Sequence, residues 1–150
     1  IVTWYENARI GADGAEIYDL VTESMAKGNL RPALNPGHLT SSDEWLHTFF
    51  QPNSKEKITS GMAIQCDIIP EPMPDGIVLN CEDSVFFADE DLRNQIANKY
   101  PEMWKRIQKR QAFMRNELGI NISDELLPFS TTPGYYAPLF MSPDYCLTKS

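Results

Sequence analysis

The 150-residue chain contains two histidines, His38 and His47, and both lie upstream of two acidic residues, Asp67 and Glu82, set in strand-like sequence. One imidazole with carboxylate oxygens is a donor set suited to a hard divalent cation. Each of these residues also has a plainer reading. A lone histidine is usually structural or at the surface, and an acid on a strand is often simply solvated. What separates the two readings is whether the chain brings the side chains together, and that depends on the segment between residues 60 and 88.

Ser60 to Pro70 and Ile77 to Ala88 are rich in β-formers, and the intervening Glu71-Pro72-Met73-Pro74-Asp75-Gly76 is rich in turn residues. The pattern predicts an antiparallel hairpin. With Met73-Pro74-Asp75-Gly76 as the turn, residues equidistant from it meet across the ladder, so Asp67 faces Glu82. Cβ atoms of directly opposed residues lie about 5 Å apart, and two like charges there destabilise a sheet unless something neutralises them. A shared proton would do so, and so would a divalent cation. Strand alternation puts Gln65 and Ile69 on the side of Asp67, and Met62, Ile64, Cys66 and Ile68 on the other. Cys66 and Cys81 are then diagonal neighbours on the core side, and are read as buried thiols without a bridge.

The remaining elements must position this hairpin. Asp13 to Lys27 reads as a helix, with Asp13 as its cap, Ile17, Leu20, Val21 and Met25 at helical spacing, and Gly28 as the left-handed residue after the last turn. Asn29 to Phe50, which carries Asn35-Pro36-Gly37-His38 and Asp43-Glu44-Trp45-Leu46-His47, reads as loop with short extended pieces. Two helices follow the hairpin, Asp89 to Lys99 and Pro101 to Leu118, with proline opening the second and Gly119 closing it. From Pro128 the chain reads as irregular and pinned by its aromatics. The fold class is α+β, in one domain, with residues 96–150 as a helical and aromatic extension of it.

Composition narrows the partners. A formal charge of −8 argues against nucleic acid, whose phosphates call for a clustered positive field. Lys105, Arg106, Lys109, Arg110 and Arg115 are read as a solvated helix face. No apolar run is long enough for a membrane span, and residues 1–7 do not have the pattern of a signal peptide. Three widely spaced cysteines fit a reducing, cytoplasmic compartment. The chain opens on Ile1 within what reads as structured sequence, and is taken as a piece of a longer protein.

The order Pro36-Gly37-His38, then Ser60-Gly61-Met62 leading through Gln65-Cys66-Asp67-Ile68-Ile69-Pro70, then Asn80-Cys81-Glu82-Asp83-Ser84-Val85, resembles the second half of the catalytic domain of the pita-bread, creatinase-like metallopeptidases. That family includes Xaa-Pro dipeptidases, aminopeptidase P and methionine aminopeptidases. The resemblance covers roughly residues 10–95 and implies half of a pita-bread fold, an antiparallel sheet packed by helices. It makes His38, Asp67 and Glu82 three of five ligands to two divalent ions (Mn, Co or Zn), with His47 binding the substrate carbonyl or oxyanion and Glu44 shuttling protons. It also implies a short proline-containing peptide as substrate. The chain departs from the family where Asp67-Ile68 stands in place of Glu-Pro, and nothing here matches the aspartate pair that the family brings from its first half. The isolated chain is therefore expected to be inactive. The alternatives are a catalytically silent binding or assembly module and a homodimerisation unit.

Overall fold

In the computed structural model, residues 1–40, 46–139, 141–142 and 144–149 are described. They form mixed helix and antiparallel sheet, in keeping with the α+β reading. In chain order the elements are α1 (Val2–Asn7), α2 (Gly14–Ala26), β1 (Arg31–Pro32), β2 (His38–Leu39), β3 (Ala63–Ile68), β4 (Pro70–Glu71), β5 (Cys81–Phe87), α3 (Glu90–Lys99), α4 (Pro101–Asn116) and β6 (Leu126–Pro128). The larger sheet has four strands in the order β2-β3-β5-β6, and β1 pairs with β4 in a separate two-stranded ribbon. Among the described residues no helix is long and apolar enough to cross a membrane.

Helix α2 forms where its apolar spacing requires, burying Ile17 and Val21, but its ends differ from expectation. The Asp13 carboxylate makes no cap hydrogen bond; it accepts instead from Lys57 Nζ at 3.0 Å. Asn29, at φ 56°, takes the left-handed conformation expected of Gly28. Asn tolerates that region better than other residues with a Cβ, because its short amide can bond locally. Helix α3 is capped by Asp89, whose side chain accepts the Leu92 N–H at 2.9 Å. In α4, Ile107 and Met114, seven residues apart and so on one face of the helix, are buried, and so is Gln111, which donates to the carbonyls of Asp124 (3.2 Å) and Leu126 (2.8 Å). A buried amide is stable only when its donors are used, and here they tie α4 to β6.

The sequence reading did not find α1, one and a half turns long, or β6, three residues ending in a proline. Both matter to the core. Trp4 and Tyr5 of α1 are fully buried, and Met114, Leu118, Ile120, Ile122 and Leu126 pack in the same cluster as Trp4, Ile17, Phe49, Phe50 and Ile64. Residues beyond 96 thus share the core of the sheet. The solvated reading of the basic stretch holds for Lys105, Arg106 and Lys109. Arg110 and Arg115 instead fold back, donating to the carbonyls of Pro133 (2.7 Å) and Ile122 (3.0 Å). The tail is held by these polar contacts as well as by its aromatics: Phe129 meets Phe86 edge-on, and the Thr132 hydroxyl donates to Asp83 Oδ1.

The β3–β5 ladder keeps the expected register but not the expected length. Its pairs run from Ala63 opposite Phe86 to Ile68 opposite Cys81, with Asp67 opposite Glu82. The strands were expected to continue to Pro70 and to begin at Ile77; neither does. Pro70, Pro72 and Pro74 have no N–H to give to a ladder, and after Ile68 the chain leaves β5 to pair Pro70–Glu71 with β1. The turn itself lies one residue later than expected, closed by the Ile77 N–H on the Pro74 carbonyl at 3.0 Å. Gly76, at φ 78°, then occupies the third position, where a type II turn requires positive φ.

On the core side of this ladder Cys66 and Cys81 are free thiols, both buried. Burial pushes the Cys66 thiol well above its ordinary pKa; burial and then Asp83 push Cys81 up to about 11. The thiolate is the reactive form, so neither should react at neutral pH in the folded state. A thiol reagent is expected to label the half-buried Cys146 first in native protein, and Cys66 and Cys81 only after denaturation. Labelling of all three at one rate in the native state would contradict this packing.

Candidate functional site

Strand β2 is only two residues long, yet it is fixed on both sides. His38 pairs with Gln65 and Leu39 with Ile64 of β3, while on its outer edge the Leu39 N–H donates to the His47 carbonyl at 3.0 Å. Just before it, the Gly37 carbonyl accepts the Thr48 hydroxyl at 2.5 Å, and the Thr48 hydroxyl oxygen accepts the Phe50 N–H at 3.2 Å. Gly37 is a glycine for two reasons. Its φ is 151°, and a Cβ there would lie 2.6 Å from the Gln65 carbonyl oxygen and 3.0 Å from the Phe50 ring. The close approach is what delivers His38 to the sheet.

The register places His38, Gln65, Asp67 and Glu82 on one face. His38 is 6% exposed and Asp67 9%, whereas Glu82 is open to solvent. The carbonyl of Leu39 lies 2.9 Å from His38 Nδ1 and can only accept, so Nδ1 carries a proton. In the neutral ring the lone pair is then on Nε2, which is turned toward Asp67 Oδ2 at 3.9 Å. The other oxygen of that carboxylate, Oδ1, is buried without a hydrogen-bond partner among the described residues. An unsatisfied carboxylate oxygen is costly. Burial raises the Asp67 pKa first and the Glu82 charge raises it further, with His38 opposing both.

Glu82 is treated differently. Asn80 Nδ2 donates to its Oε1 at 2.6 Å and Gln65 Nε2 to its Oε2 at 3.3 Å. Among the described residues no three His, Cys, Asp or Glu side chains are gathered closely enough to form a ready-made ion cage. The structure therefore brings His38 Nε2 to 3.9 Å from Asp67, and sets Glu82 beside them through register. His47 lies apart, half exposed, with Nε2 3.3 Å from Glu56 Oε2. Glu44 lies outside the described residues.

Beside the His38–Asp67 pair is a cavity of about 220 Å³, lined by Leu34, Asn35, Gly37, His38, Thr48 and Asp67. Leu34 is 60% exposed at its mouth. Thr48, Leu34 and Asn80 were not among the residues singled out as site groups in the sequence. Alternation could have flagged Asn80, two residues before Glu82, as it flagged Gln65. Thr48 carried no such signal, because its role depends on a loop folding against β2.

Two outcomes are expected. Gly37→Ala should cost about 1–3 kcal/mol through overpacking and backbone strain, read as a lower urea midpoint; an unchanged midpoint would remove the close approach as a constraint. Asp67→Asn bears on the orphaned oxygen. Because folding raises the Asp67 pKa, its contribution to stability is full below the unfolded pKa and is lost as pH rises through the folded one. The Asn variant should therefore melt higher than wild type at pH 7, with the gap narrowing as pH falls toward about 4. A variant that melts lower at pH 7 would contradict the reading.

Comparisons with protein-family models, with curated proteins and with solved structures each return no match to this chain.

Proposed function

We propose that this chain is part of a metal-dependent exopeptidase that hydrolyses short peptides next to proline, with the half pita-bread architecture that the motif resemblance implies. One observation carries the reading. Asp67 Oδ1 is buried without a hydrogen-bond partner among the described residues, on a face that also bears an imidazole 3.9 Å from Oδ2 and a second carboxylate directly across the ladder. Folding would not be expected to retain that cost unless something else repaid it.

The donor set suits a divalent ion. His38 would offer Nε2, since Nδ1–H is committed to the Leu39 carbonyl, which also fixes the orientation of the ring. Asp67 and Glu82 would offer hard oxygens. Divalent ions at such a site lower the pKa of a bound water and polarise a carbonyl. The chain's own residues do the rest. The cavity walled by Leu34 and Thr48 would seat an apolar part of the substrate beside His38 and Asp67. His47, exposed on the loop that borders β2, is the candidate to meet the substrate carbonyl, and Glu44 remains the candidate proton shuttle.

Three ligands under-coordinate two ions, each of which prefers about six oxygen or nitrogen donors. The chain alone should bind Mn²⁺ weakly and hydrolyse nothing, and activity would need two further carboxylates. The test is Mn²⁺ or Co²⁺ titration with an Xaa-Pro dipeptide, on this chain and on a longer form supplying an aspartate pair. His38→Ala and Glu82→Ala should each abolish turnover by the longer form. Turnover that survives both substitutions would remove these residues from the chemistry. An inert longer form that still binds Mn²⁺ would favour the catalytically silent module.

A further inference from the structure

The two carboxylates of the face are supported unequally. Both Glu82 oxygens have an amide donor, one from each neighbouring position along the sheet: Asn80, two residues earlier on its own chain segment, and Gln65, two residues before Asp67 on β3. Asp67 Oδ1, directly across the ladder, has none. An exposed glutamate left to itself samples many rotamers, and fixing it costs side-chain entropy. An amide nitrogen donates and cannot accept, so two of them can restrain both oxygens of a carboxylate without cancelling its charge.

We propose that Gln65 and Asn80 are positioning residues, a pair of amides that hold the Glu82 carboxylate in place on the face it shares with His38 and Asp67. This rests on the divalent-ion reading of that face. Gln65 is well placed for the task because it is also the cross-strand partner of His38. One residue therefore sits between the imidazole and the glutamate, and its β3 neighbour on the same face is Asp67. The 2.6 Å bond from Asn80 is the shorter of the two, so Asn80 should bear more of the load. Polar groups that orient a ligand typically change metal affinity by about 10–100-fold when removed.

Two readouts on the full chain test this separately. In metal-free protein, Glu82→Ala should shift the side-chain amide NMR resonances of both Asn80 and Gln65; resonances that do not move would overturn the bracket whatever the metal result. Mn²⁺ binding, followed by the loss of its free-ion EPR signal, should weaken about tenfold in Asn80→Ala and less in Gln65→Met. Neither substitution should weaken binding further in a Glu82→Ala background, an outcome that a general loss of structure would not produce. Equal Mn²⁺ affinity in wild type and both amide variants would overturn the positioning role while leaving the divalent-ion reading intact. No Mn²⁺ binding by wild type, with the amide shifts present, would overturn that reading and the positioning role with it.

Discussion

Two carboxylates opposed across an antiparallel ladder repel each other, and the sheet must supply the energy that keeps them there. Asp67 and Glu82 are opposed in this way because the other face of the same two strands is committed to the core. Ile64, Cys66, Ile68, Cys81 and Val85 are buried on that side, under Tyr5 and the cluster built around Trp4 and Phe50. Slipping the register by one residue would bring these side chains to the solvent and take the acids inside. Apolar burial of about 25 cal/mol per Å² makes that exchange unfavourable by many kcal/mol, whereas an opposed pair of acids costs about 1 kcal/mol or less. The core therefore sets the register, and the register sets the site.

Everything near the site follows from delivering an imidazole to that ladder. Strand β2 is too short to hold itself, and its position comes from the residues around it: Gly37 allowing close approach to the Gln65 carbonyl, Thr48 bonding Gly37, and the His47 carbonyl taking the Leu39 N–H. The Leu39 carbonyl then fixes the ring, so that Nε2 faces Asp67. The second buried acid, Asp83, shows how the same chain treats a carboxylate meant for structure. Burial raises its pKa too, but the Thr132 hydroxyl and the Arg110 charge oppose that rise. Asp83 is satisfied by the tail that it anchors. Asp67 is left with an oxygen that none of the described residues satisfies.

The parts of this arrangement that depend on local pattern were legible in the sequence. Period-two alternation separated Asp67 from Cys66, and a proline-glycine turn predicted that Asp67 would meet Glu82. Helical spacing located α2, and Pro101 and Gly119 bounded α4. The ladder was nevertheless expected to run too far, because the competition between β5 and β1 for residues 70–71 is a tertiary matter. It was the core, more than the turn, that kept the register: the turn moved by one residue and the pairs did not. Strand β6 and helix α1 were hidden for a related reason. Each is short, with little intrinsic preference: β6 exists because it pairs along the edge of β5, and α1 because Trp4 and Tyr5 fill the core. The contacts that fix His38 span a loop, so no spacing rule could reveal them.

A crystal of the chain soaked in Zn²⁺, with anomalous data collected at the zinc edge, addresses the central claim most directly. A peak is expected within about 2.0–2.2 Å of His38 Nε2 and of an Asp67 carboxylate oxygen, with Glu82 facing the same ion. Density confined to other histidine, cysteine or acidic side chains, with the Asp67 Oδ1 environment unchanged, would contradict it.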